Sequence, residues 1–353
     1  MNTSARLDAL RARMTDEGLD AFVVNSPANV RYLTGFSGEG MLVVDEDVTL
    51  CSDSRYVVQA AEEAPWMTVA ADGGGHVGKA AARLAETGAA RVGFEAEALM
   101  YVGFEALGKS APDAELVSTR GVIERLRAVK DPGEIALVRR AAAIADAAFA
   151  ELRGRIEPGM TERQVALDLD RLMIEGGARK PSFETIVASG PNGAKPHAVP
   201  GERELAEGDL VVVDWGAQAD GYCSDCTRTL MLGEPDARQR GIWQAVREAQ
   251  LAGLEAIAPG VKCRDVDAAA RDLLYERGLG DLFGHGVGHG VGLEVHEQPG
   301  LGETSEDTLA ASMVITVEPG VYAAGWGGVR LEESVLVTAD GFEVLTAAPY
   351  DRV

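Results

Sequence analysis

The chain has 353 residues, 46% hydrophobic and 25% charged, a globular composition that excludes a disordered polypeptide and a length that suggests two domains. Fifty-six acidic against 33 basic side chains leave a formal charge of −23, which repels a phosphate backbone and argues against a nucleic-acid partner. No apolar run approaches the roughly 18 residues needed to span a bilayer.

The first 18 residues make a polar, amphipathic helix pattern without a secretory apolar core. The four cysteines, Cys51, Cys223, Cys226 and Cys263, are too few and too scattered for a disulfide framework. A cytoplasmic protein that does not enter a membrane is the expectation.

In chain order, residues 6–20 read as a helix stopped at Gly18, followed by the strand "DAFVVN" and a turn at "SPAN". "MLVVDEDVTLCSDSRY" reads as two short strands joined by an acidic turn. "HVGKAAARLAETGAARVGFEAEAL" alternates helix, glycine stop and strand, so the first ~125 residues form a small α/β unit, with His76 in a surface loop. At "DPGE", Asp131 is an N-cap and Pro132 stands in the first turn of an alanine-rich helix running to about Leu152. The domain boundary falls near residues 122–133, dividing 1–125 from 126–353.

The pattern then changes. "TERQVALDLDRLMIEGG" is a second helix, and "FETIVASGPNGAKPHAVPG" a strand leaving into a Gly/Pro/Asn loop. "DLVVVDWGAQADGYCSDCTRTLML" reads as a strand, a turn at "QADG" and a second strand. "RQRGIWQAVREAQLAGLEAI" and "KCRDVDAAARDLLYERG" are amphipathic helices, and "MVITVEPGVY" and "GVRLEESVLVT" are late strands.

Carboxylates stand where apolar residues belong. Asp214 ends the "LVVV" strand, Asp225 lies in the second strand of the same hairpin, Glu318 interrupts "VITV" before a Pro-Gly turn, and Glu332 sits in "VRLEESVLV". Arg330, two residues before Glu332, shares its strand face. A lone acid at a strand end is ordinarily a turn or cap residue. Four of them, beside "HGVGHGVGLEVHE" with three of the five histidines, require another explanation, because a buried carboxylate is costly unless paired or bound to a cation. Oxygen-rich ligation with an imidazole suits Mn²⁺, Co²⁺, Fe²⁺ or Zn²⁺. Two ions about 3.5–4 Å apart would use all four acids.

"DWGAQADGYCSDCTRT", "HGVGHGVGLEVHE", "VEPGVY" and "GVRLEE" resemble, in order and spacing, the successive signatures of the pita-bread metallopeptidases, which include methionine aminopeptidase, aminopeptidase P and prolidase. "ANVRYLTGFSG" and "SDSRY" resemble the smaller N-terminal domain of the creatinase, prolidase and aminopeptidase P branch. The resemblance spans nearly the whole chain. It implies an α/β (α+β) fold: a small creatinase-type α/β domain, then a C-terminal pita-bread catalytic domain. It also implies five ligands to two divalent ions, Mn²⁺ first and Co²⁺ or Zn²⁺ as alternatives. Asp225 and Glu332 bridge them, Asp214 completes one, and His289 with Glu318 the other. A hydroxide between the ions attacks the peptide bond, with Glu318 as general base. His197, His285 and His296 match non-ligand histidines that orient substrate and relay protons, and Arg330 an arginine supporting the ligands.

The activity so implied is Xaa-Pro aminopeptidase, acting on peptides with proline at the second position, as a homodimer. The alternative is an Xaa-Pro dipeptidase, for which Arg31, Arg55 or Lys195 would seize the free carboxylate. A non-catalytic binding protein of this fold would show substitutions among the five ligand positions, and there are none. A phosphate loop lacks its "GK[ST]" ending at residues 284–292. The lone C-x-x-C of Cys223 and Cys226 has no second ligand pair and reads as packing. The glycines of residues 286–292 read as positions of close backbone approach to a substrate.

Overall fold

The computed structural model describes residues 2–351, and the chain divides into two compact units, residues 1–127 and 128–353. In the first, α1 (Thr3–Glu17) stops where Gly18 turns left-handed at φ +64°, a conformation glycine adopts without a Cβ clash. β1 (Ala21–Val24) follows. "SPAN" is then not a turn but the start of α2 (Pro27–Thr34): Ser26 Oγ accepts the Asn29 N–H and Pro27 occupies the first turn, where its missing donor is no loss.

β2 (Met41–Val44) and β3 (Val48–Cys51) form the expected hairpin. The unit continues through α3 (Val57–Glu63), β4 (Thr68–Ala70), α4 (His76–Thr87), β5 (Arg91–Glu95), α5 (Tyr101–Ser110) and β6 (Glu115–Thr119) to α6 (Val122–Ala128). The strands make one mixed sheet in the order β4-β3-β2-β1-β5-β6. His76 opens α4 and does not sit in a loop.

In the second unit α7 (Pro132–Arg153) opens on the capping box of Asp131 and Glu134, and α8 (Glu162–Glu175) on that of Thr161 and Gln164. Then come β7 (Lys180–Pro181), β8 (Ile186–Ser189), β9 (Leu210–Trp215), β10 (Ala217–Ala219), β11 (Tyr222–Cys223) and β12 (Cys226–Met231). α7 and α8 cover the sheet β12-β9-β8: Phe149 stacks on Trp215 at 4.1 Å, and the indole N–H donates to Ala145 O. The "QADG" turn belongs to the smaller β10–β11 hairpin, with Asp220 and Gly221 at positive φ, as a two-residue link between right-twisted strands requires.

α9 (Ala237–Glu255) and α10 (Cys263–Glu276) pack their apolar faces, Val246, Ala249, Val266 and Ala270 among them, on a second sheet. That sheet has the order β14-β13-β15-β18-β19, from β13 (Gly288–Gly290), β14 (Glu297–Leu301), β15 (Val314–Val317), β18 (Glu333–Val337) and β19 (Phe342–Val344). β16 (Gly320–Ala323) and β17 (Gly327–Arg330) form a separate ribbon. "GVRLEESVLV" is therefore two strands and not one. It breaks at Leu331–Glu332, where the Glu332 N–H leaves the ladder to donate to Thr227 O at 3.1 Å.

The glycines before and within β13 answer to neighbouring backbone. A Cβ on Gly288 would lie 2.0 Å from Thr316 O, on Gly290 2.2 Å from Gln298 O, and on Gly286 2.6 Å from Leu301 O. The close approach that the fold itself requires of them is to neighbouring strands, and Gly286 and Gly288 also line a cleft. Gly288→Ala should therefore destabilise the protein by about 3 kcal/mol or more through overpacking. The check is the denaturant midpoint; an unchanged midpoint would mean that β13 and β15 can separate freely. Among the described residues no helix is long and apolar enough to cross a membrane.

Candidate metal centre

Thr227 of β12 stands directly opposite Asp214 of β9. Asp225, two residues before Thr227 and on the same side, is thus a diagonal neighbour of Asp214 rather than its direct cross-strand partner. The segment 330–334 then runs alongside residues 229–225. Thr229 Oγ1 donates to Arg330 O at 2.9 Å, Thr227 Oγ1 to Glu332 Oε2 at 2.7 Å, and Ser334 Oγ to Asp225 O at 2.8 Å. This alignment delivers Glu332, and carboxylate oxygens of Asp214, Asp225 and Glu332 all lie within 4.8 Å of one another.

The second sheet adds the remaining pair. His289 of β13 places Nε2 3.1 Å from Glu318 Oε1 and 3.6 Å from Asp225 Oδ2. Thr316 Oγ1 ties the two together, accepting from the His289 N–H at 3.0 Å and donating to Glu318 Oε1 at 3.1 Å. Glu318, one residue beyond β15, is anchored by its own N–H to Val287 O at 2.7 Å. All five residues expected to be ligands converge.

Charge crowding at the site is severe. Burial pushes the Asp214 carboxyl above its ordinary range. Burial, then the charges of Glu332, Asp214 and Glu318, drive Asp225 well above it, and burial with Glu318 and Asp214 does the same to Glu332. Burial also acts to raise Glu318, but the hydrogen bond and charge of His289 outweigh it and hold the carboxyl down at about 2. Burial opposes protonation of His289, and Glu318 overcomes it and raises the imidazole.

Two buried oxygens, Asp214 Oδ1 and Glu332 Oε1, accept no hydrogen bond. Such atoms carry the full desolvation penalty, and cations relieve it without needing a proton. His289 Nδ1 lies 3.0 Å from Gly290 O, so the proton belongs on Nδ1 and Nε2 is left for an ion. Four carboxylates and one imidazole, with uncommitted oxygens turned inward, fit divalent metal.

Around this cage Arg330 makes four hydrogen bonds. It donates to Asp214 Oδ2 at 2.6 Å, Tyr322 Oη at 2.8 Å, Thr227 Oγ1 at 3.1 Å and Pro196 O at 3.2 Å. The Tyr322 phenol, pushed up to about 12 by burial, accepts from Arg330 and keeps its own proton for His285 Nε2 at 3.0 Å. Burial lowers His285 and His296. The His296 ring stands 4.4 Å from that of His289 at 71°.

His197, His285 and His296 line one cleft of about 430 Å³, which has Phe183, Ile186 and Val199 as an apolar wall. Glu332, 1% exposed, does not line it. Lys195 is exposed, bonds Asn192 Oδ1 at 2.9 Å and does not line it either. Arg31 and Arg55 belong to the first unit, where Arg55 pairs with Asp53 at 2.8 Å. Cys223 and Cys226 are free and buried.

Sequence reasoning passed over Tyr322 and Thr227. Their signals were present, Tyr322 closing "VEPGVY" and Thr227 standing at i+2 from Asp225.

Residues 136–339 match the family model of metallopeptidase family M24, and residues 6–129 that of the creatinase/prolidase N-terminal domain. The chain is 38% identical to an Xaa-Pro dipeptidase of Pyrococcus furiosus, over 97% of each chain. A solved Xaa-Pro dipeptidase from Bacillus anthracis matches with a TM-score of 0.96 at 39% identity, covering 100% of this chain and 99% of that one. An X-Pro aminopeptidase from Thermotoga maritima matches with a TM-score of 0.88 at 34% identity, over 95% and 97%.

Proposed function

The chain belongs to metallopeptidase family M24, and on that premise we propose that it is a metal-dependent Xaa-Pro aminopeptidase, removing an N-terminal residue that precedes proline. One observation carries the reading: Asp214, Asp225, His289, Glu318 and Glu332 converge around two buried oxygens that no donor satisfies.

In this reading Asp225 and Glu332 would be ligands shared by two divalent ions, Asp214 would complete one set, and His289 and Glu318 the other. The ions, Mn²⁺ in this proposal with Co²⁺ or Zn²⁺ as alternatives, would make a water ionise near neutral pH and polarise the scissile carbonyl. Glu318 would take the proton of the attacking water and pass it to the departing nitrogen. His285, whose Nε2 accepts from Tyr322 and whose Nδ1 faces Gly286 O, orients the substrate, while His197 and His296 donate to charge developing on the carbonyl oxygen. Arg330 keeps Asp214 in place. The C-terminal unit is the catalytic one, residues 126–353, preceded by the creatinase-type domain of residues 1–125. A homodimer in the cytoplasm completes the proposal, from family resemblance and from cysteines that are all free.

The apolar wall of Phe183, Ile186 and Val199 suits a prolyl ring. Among the described residues the cation lining the cleft is Arg330, and its donors go to Asp214, Tyr322, Thr227 and Pro196. A free carboxylate at the proline would therefore meet no uncommitted cation there, which favours longer peptides over dipeptides. The test is incubation of the metal-loaded protein with Gly-Pro and with a longer peptide beginning Xaa-Pro. Cleavage of the longer peptide is expected, abolished by a chelator and restored by Mn²⁺ or Co²⁺. Cleavage of Gly-Pro alone would establish the dipeptidase instead, and turnover insensitive to chelation would remove the metal from the mechanism.

A further inference from the structure

Asp267 and Arg271 are four residues apart on α10 and meet on one helix face as a buried ion pair. Arg271 Nε donates to Asp267 Oδ2 at 2.7 Å and Nη2 to Oδ1 at 3.0 Å, with the side chains 0% and 8% exposed. A buried pair of this kind recovers little beyond its own desolvation cost, so its remaining contacts are informative. Arg271 also donates to His285 O at 2.7 Å and Phe283 O at 3.2 Å, and Asp267 Oδ1 accepts the Val287 N–H at 2.9 Å. The guanidinium lies 4.3 Å from the centroid of the Phe283 ring, and the same ring meets that of His285 edge-on at 4.9 Å and 82°. A further oxygen, Glu303 Oε1, approaches Arg271 at 3.6 Å.

Alternate residues 283, 285 and 287 are thus gripped by one pair, in a stretch that belongs to no strand. Gly284 and Gly286 flank His285 and supply no stiffness of their own. We propose that Asp267 and Arg271 are positioning residues that fix the His285 imidazole in the cleft, an inference that rests on the assignment of His285 to the reaction above.

The experiment is a double-substitution cycle on the metal-loaded full chain with an Xaa-Pro peptide. R271K keeps a charge for Asp267 but cannot reach both carbonyls. It should lower kcat about 10-fold or more while KM and bound metal stay within about twofold, as expected when a group that orients the substrate without adding to its ground-state binding is misplaced. H285N should lower kcat about 100-fold, and adding R271K to it should cause no further fall, because the clamp then has nothing left to position. D267N/R271M removes both charges and leaves no buried ion alone, so it should repeat the R271K result even where the lysine is poorly accommodated. Losses that multiply in the H285N background, or an R271K enzyme with unaltered kcat, would overturn the proposal. An H285N enzyme of wild-type turnover would instead overturn the assignment of His285, and the clamp's role with it.

Discussion

Asp225→Asn and Glu332→Gln are expected to lower kcat by about 10³-fold or more, since several kcal/mol of transition-state stabilisation depend on the ions they share. Both should also lose most bound metal, measured by metal analysis after gel filtration. The same substitutions should stabilise the metal-free protein by about 1 kcal/mol, because each removes a group whose charge the folded state resists. Asp225 and Glu332 have folded-state carboxyls raised well above 3.8 and 4.5 by burial and by neighbouring carboxylates. Between those ordinary values and the raised ones the folded state holds more protons than the unfolded chain. Metal-free stability therefore falls as pH rises above about 6.5, the ordinary value of His285 and His296; burial lowers these two imidazoles, which oppose the fall below that pH. Glu318, held at about 2, works in the opposite sense, but its contribution changes only below its ordinary value of 4.5, outside that window. Metal binding displaces the protons, so affinity for the ions should rise over the same interval. Thermal unfolding with and without Mn²⁺ across that range checks the signs. Retained activity in Asp225→Asn would remove Asp225 from the ligand set, and metal-free stability climbing with pH would mean the carboxylates ionise without hindrance.

The acids were legible because each breaks an apolar strand. A buried Asp after "LVVV" or a buried Glu after "VITV" conflicts with its surroundings, and a bound cation resolves the conflict. How they meet was less legible. Asp214 pairs with Thr227 and not Asp225, because the excursion through β10 and β11 adds residues that no alternation pattern counts. The break at Leu331–Glu332 was hidden for a similar reason: "VRLEESVLV" is continuous in hydrophobicity, and only the crossing of β12 shows that Arg330 and Glu333 serve different sheets. The "SPAN" segment was misread through its proline, which marks a helix's first turn as readily as a bend once Ser26 caps it. The glycines of residues 286–292 read as room for substrate, and Gly286 and Gly288 do line the cleft, but the crowding of Gly286, Gly288 and Gly290 by Leu301, Thr316 and Gln298 is invisible in the sequence because only strand order brings those residues near. Asp267 and Arg271 read on the helix as an ordinary i,i+4 pair. Nothing local shows that this pair is buried against the backbone of His285.

Arg330→Met is expected to separate the two roles that the cations share with this arginine. Arg330 is 3% exposed and donates to Asp214, Tyr322, Thr227 and Pro196. Removing it leaves Asp214, which already has one unsatisfied oxygen, without its charged partner. A broken buried pair costs about 3–5 kcal/mol, and the metal-free variant should lose stability on that scale. In the loaded protein the ions neutralise Asp214 in the arginine's place, so the loss should shrink to about 1–2 kcal/mol, the cost of the remaining hydrogen bonds. Linkage then requires that the variant bind metal more tightly than the wild type. Its turnover should nonetheless fall about 100-fold, because Tyr322 loses its charged donor and His285 its fixed partner. Arg330→Lys, which keeps a charge but not the four-way fork, should restore metal-free stability in part and turnover very little. Calorimetric unfolding with and without Mn²⁺, set beside kcat, reads all of these quantities. Equal destabilisation in the two states would show that the ions do not take over from Arg330 at Asp214, and with it the placement of Asp214 as a ligand would fail.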